Sequence, residues 1–75
     1  MKTMMSFTAI IEREGASFAA LCPELDVASQ GDSVEEARAN LGEAIAHLLE
    51  SGDPAEVEAR LHREVIVTRL EVGVG

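Results

Sequence analysis

Two carboxylates held close together can bind divalent ions or divide acid and base roles, so the acids are the first place to look for chemistry. Glu12 closes an alternating, strand-like stretch, and Glu43 falls on a helical face opposite an apolar stripe. No Asp lies inside a strand-like stretch where it would meet another acid. His47 and His62 are the two histidines. His47 lies on an outer helix face beside Glu43 and Glu50, the position of a solvated side chain. No Ser, His and Asp set shows a triad-like pattern. Cys22 is the lone cysteine. Inside an apolar strand a thiol is a small buried hydrophobe rather than a nucleophile. Gly31-Asp32-Ser33 precedes a helix, and helix N-termini attract anions. Asp32, Glu35 and Glu36 would repel one, so capping accounts better for these residues. The expectation is no catalytic residue, no metal site and no cofactor: a protein that is not an enzyme.

Two other features point to binding. Glu24, Asp26, Asp32, Glu35 and Glu36 form an acidic run with no base until Arg38. Such a run could meet a basic protein surface; the plain alternative is a solvated loop and a helix start, where acids also suit the dipole. Ala39, Gly42 and Ala46 form a row of small residues beside the stripe. A mid-helix Gly costs about 1 kcal/mol relative to Ala. A close approach at Gly42 by a sheet, a second helix or a partner would compensate.

These residues need elements to hold them. Residues 4–12 read as a first strand, with Met5, Phe7, Ala9 and Ile11 on one face. Residues 13–16 carry Gly15 and read as a hairpin loop. Residues 17–22 return as a second strand with Phe18, Ala20 and Cys22 toward the core. Pro23 ends it, because proline cannot donate to a ladder. Residues 24–26 turn, residues 27–30 make a short third strand, and Gly31 closes it.

The strongest element follows. Ser33 with Glu36 has the spacing of a capping box. Val34, Ala37, Leu41, Ala44, Ile45 and Leu48 then recur at three and four residues, so a helix runs from Val34 to about Glu50. Gly52 fits the position just past its end. Asp53-Pro54-Ala55-Glu56 starts a second, short helix, which stops near His62. Residues 65–72 read as a final strand, apolar on both faces, and residues 73–75 as a frayed tail. A right-handed crossover from the third strand back beside the first gives an α+β fold of order β-β-β-α-(short α)-β. The expected sheet is mixed and four-stranded, of order 3-2-1-4, with the main helix on one face.

The chain has 75 residues, enough for one domain. A chain of this size buries only about 60% of its unfolded surface. With two Phe and no Tyr or Trp, its core must come from aliphatic residues and Met. The formal charge of −8 opposes direct nucleic-acid binding, which needs clustered Lys and Arg. One cysteine permits no internal disulfide, which fits a reducing cytosol. No apolar run is long enough for a signal peptide or a membrane span. The expected location is cytoplasmic.

The run from Phe7 to Glu50 resembles the HicB-like antitoxin domain. The features are the aromatic-aliphatic first strand, the Gly-containing hairpin, the second strand ended by Pro23, the Gln30-Gly31-Asp32-Ser33 turn and the Glu35-Glu36-Ala37 helix start. The resemblance implies a partial RNase H-like fold. It implies a domain that binds and neutralises a small basic mRNA-cleaving toxin of the HicA kind, and that forms dimers or higher homo-oligomers. Many relatives add a C-terminal DNA-binding domain; here residues 1–75 are expected to be a single HicB-like domain without one. Many relatives also carry Gly-Cys after the position of Leu25, where this chain has Asp26-Val27. Whether a toxin is encoded nearby separates the antitoxin reading from an orphan domain with another protein partner or a structural role.

Self-association is expected on physical grounds as well. An apolar final strand at a sheet edge is a surface that proteins cover, charge or pair. Val65, Val67, Arg69 and Glu71, with Gly42 on the main helix, are the expected contact residues of a homodimer.

Overall fold

The computed structural model describes residues 4–75. Three strands come first: β1 (Ile10–Glu14), β2 (Ser17–Cys22) and β3 (Val27–Gly31). Two helices follow: α1 (Val34–Ser51) and α2 (Pro54–Leu61). The strands form an antiparallel sheet of order β1-β2-β3. Gly15, at φ +62°, makes the β1–β2 turn, in the left-handed region where glycine carries no Cβ penalty. Ile11 pairs with Ala20 and Ala20 with Ser29 across the sheet.

Side chains two apart on a strand share a face. Ala20 and Cys22 therefore point together, and both are fully buried. α1 covers that face with Ala37, Leu41 and Ile45, spaced four apart on one helical stripe. Leu25, in the β2–β3 turn, is also wholly buried and completes the core. Phe7, Ile11, Phe18, Val27, Leu48 and Leu49 pack around it.

Ser33 caps α1 as its sequence predicts, while Glu36 reaches back to Asp32, one residue beyond the Ser33 amide that a capping box uses. Ser33 Oγ accepts from the Glu36 amide at 3.0 Å, and Glu36 Oε1 accepts from the Asp32 amide at 3.0 Å. β3 meets α1 closely at Gly31. A Cβ there would lie 2.4 Å from the Ala37 backbone nitrogen, so only glycine fits. Asn40 Nδ2 ties the same region together, donating to the Gln30 carbonyl at 2.7 Å. Asp53 caps α2 by accepting from the Ala55 amide at 2.9 Å, with Pro54 in the first turn.

The four-stranded sheet of order 3-2-1-4 is not formed. Among the described residues the sheet has three antiparallel strands, and residues 65–72 belong to no strand. Ile66, Leu70 and Val72 are 76%, 84% and 71% exposed. The physical reason is that an apolar run on both faces records a need for cover without recording a partner or a register. The partial RNase H-like arrangement, which needs that strand beside β1, falls with it. β1 is also shorter than its alternation suggests. It begins at Ile10, because the Thr8 amide donates to the Glu24 carboxylate rather than to a ladder. Gly52 closes α1 at φ −75°, so left-handed geometry is not what selects it. A Cβ there would lie 2.5 Å from the Leu48 carbonyl oxygen, and that close approach is the requirement glycine meets.

Candidate protein-binding surface

The acidic run divides into two groups with different duties. Glu24 and Asp26 lie in the β2–β3 turn, and Asp32, Glu35 and Glu36 lie at the start of α1. The five residues of β3 separate the groups, a rise of roughly 16 Å along a strand.

Glu24 is a structural residue. Its Oε2 accepts from Thr8 Oγ1 at 2.7 Å, and its two oxygens accept from the Thr8 amide at 3.1 and 3.0 Å. The carboxylate thus fastens the segment before β1 to the β2–β3 turn. Burial pushes its pKa up, but hydrogen bonds from Thr8, from its own backbone amide and from Cys22 together outweigh burial and leave it below the ordinary carboxylate value. Cys22 Sγ donates to Glu24 Oε1 at 3.5 Å. Burial, with that acceptor beside it, raises the thiol pKa, so the thiolate is disfavoured and Cys22 is a core residue. Asp26 stands exposed at φ +55°, a left-handed conformation that Asp tolerates better than most residues.

At the other end, Glu36 serves the cap, while Asp32 and Glu35 stand exposed. Among the described residues one ion pair forms, Arg60 to Glu56 at 2.7 Å on α2. Arg60 also donates to the Leu25 carbonyl at 2.8 Å, which pins α2 to the β2–β3 turn. The exposed acids therefore present charge outward.

A groove of about 640 Å³ runs between the segment leading into β1 and the flank of α1. Met5, Phe7 and Ala9 line one wall, and Ala39, Gly42 and Ala46 line the other, with Glu35 and Arg38 at one end. Gly42 is open: a Cβ on it would meet nothing within 4 Å. No residue of 65–72 lines the groove. Of the expected oligomer contacts, Gly42 stands in the groove wall. Val65 is half-buried, and Val67, Arg69 and Glu71 stand exposed on the trailing segment.

Among the described residues no group of three or more His, Cys, Asp or Glu could hold a metal ion. Glu12 and Glu43 are both exposed, on β1 and α1. His47 is exposed on α1, as its helical phase predicts. Among the described residues no helix is long and apolar enough to cross a membrane.

Sequence reasoning missed three features. Leu25 is expected only as a turn residue within 24–26, although one large aliphatic residue between Glu24 and Asp26 is the signal of a turn folded back on the core. The Glu24–Thr8 contact joins residues 16 apart and leaves no local trace. The groove depends on where the segment before β1 lies, which periodicity does not fix. No protein-family model, no curated protein and no solved structure matches the chain.

Proposed function

We propose that this chain is an antitoxin-type protein-binding module that masks a small basic RNA-cleaving partner, in the manner its HicB-like sequence features imply. The observation that carries the reading is the outward acidic charge. The chain holds 14 acids against 6 bases, and one ion pair forms among the described residues. Asp26 at one end of β3 and Asp32 and Glu35 at the other are exposed. Charge placed this way speeds encounter with a basic surface and suppresses acidic partners. The order of elements over the Phe7 to Glu50 run, three strands and then a capped helix, agrees with the resemblance. A lone, buried cysteine at Cys22 fits a cytoplasmic setting.

The test is direct. A small basic ribonuclease encoded beside this chain is purified and mixed with it. RNA cleavage should be suppressed stoichiometrically. Asp26→Asn, Asp32→Asn and Glu35→Gln together should slow association and flatten its salt dependence. No complex at low salt would overturn the antitoxin reading and leave an orphan domain with a different partner.

A further inference from the structure

Two of the apolar features that the described residues leave uncovered match each other. One is the groove beside β1. The other is segment 65–72, which pairs with nothing among the described residues and holds Ile66, Val67, Leu70 and Val72 more than half exposed. We infer that two copies of this chain exchange these segments, each laying residues 65–72 into the groove of the other.

Length supports the match. Eight extended residues span about 26 Å. The groove wall on α1 runs from Glu35 to Leu49, about 21 Å of helix. The segment therefore covers the whole groove. Composition supports it as well. Ile66, Thr68, Leu70 and Val72 share one face of an extended chain and can enter the groove, while Val65, Val67, Arg69 and Glu71 face away. The groove wall offers the small side chains of Ala39 and Ala46 and none at Gly42, so bulky aliphatics find room. The open Gly42 thereby gains the close neighbour that its helix cost calls for.

Charge does not oppose a second copy. Residues 63–75 hold two Arg and two Glu and are neutral, so residues 1–62 carry the whole −8. The trailing segment is thus a part of the chain that another copy can approach without net repulsion. Shape argues that the segment reaches outward. The radius of gyration is 14.5 Å, against about 11 Å for a compact domain of this length. The exchange is reciprocal, so it closes as a symmetric dimer and leaves no groove open for further growth. It also places the contact differently from a dimer built by pairing two trailing segments with each other.

The mass in solution by light scattering is the first reading. Wild type at high micromolar concentration should weigh twice the 8.0 kDa of one chain. Leu70→Asp, at an exposed position, and Gly42→Leu, which fills an open wall, should each return it to one chain's mass while leaving the circular dichroism spectrum unchanged. A monomeric wild type, or a dimer that survives both substitutions, overturns the inference. A second reading fixes the geometry. Gly42→Cys protein and Thr68→Cys protein are mixed and oxidised, with the buried Cys22 left in place. The crossed disulfide should dominate. If the Thr68→Cys chains instead join each other, the segments pair directly and the exchange is wrong.

Discussion

The body of this protein and its trailing segment are both rich in aliphatic residues, yet one is folded and the other is not paired. Leu25 is fully buried, and Leu70 is 84% exposed. The difference lies in what surrounds each. Leu25 sits in a turn fastened by Glu24 to Thr8 and by Arg60 to its own carbonyl. Around Leu70 no element among the described residues supplies a backbone partner. Apolar character gives a segment the need for cover, and polar anchors with turn chemistry decide where the cover is.

The comparison can be broken at its core. Leu25→Ala should cost about 2–5 kcal/mol, the range for truncating a buried leucine. Leu70→Ala should change the unfolding free energy of dilute protein by no more than about 0.5 kcal/mol, as at an exposed site. Urea denaturation of both variants reads the contrast. Equal effects would mean that the trailing segment is part of the single-chain core.

The glycines sharpen it next. Gly31→Ala drives a methyl into the Ala37 backbone and should destabilise by about 1–3 kcal/mol. Gly42→Ala meets open space in mid-helix and should stabilise dilute protein by about 1 kcal/mol. The sign of the two shifts in thermal midpoint is the readout. A loss at Gly42 in dilute protein would place a neighbour against that wall within one chain. Ser33→Ala removes the cap bond to Glu36 and should lower the urea midpoint by the equivalent of about 0.5–2 kcal/mol.

Smaller still is the acid response of Glu24. Its folded pKa lies below the ordinary 4.5. Its contribution is therefore complete above the unfolded pKa and is lost as pH falls through the folded one. Stability should decline on acidification below about pH 4.5, and Glu24→Gln should show a shallower decline over the same range. Parallel pH profiles for the two proteins would remove Glu24 as an anchor.

Much of the body is legible in the sequence because its signals are local. Ser33 and Glu36 mark the start of α1 and Asp53-Pro54 the start of α2; Ala37, Leu41 and Ile45 mark the buried stripe. Gly15 marks the first hairpin. The three strands and two helices follow from such signals. The four-stranded order did not, because its fourth strand depended on a partner for residues 65–72. Their alternation is the same whether they pair within the chain, pair with another copy or remain unpaired. The five acids looked like one run because they are near in sequence. Glu24 turned out to be an anchor because Thr8, 16 residues away, is its partner in space.

The central claim is that the body is complete without its trailing segment, and that the segment finds its cover in a second copy. Amide hydrogen exchange as a function of protein concentration tests it most directly. In dilute protein, amides of β2 and α1 should exchange slowly, and those of residues 65–72 should exchange as freely as an unstructured chain. At high concentration, residues 65–72 and the groove segment 4–9 should become protected together. Protection of residues 65–72 already present at dilution, or absent at every concentration, would contradict the account.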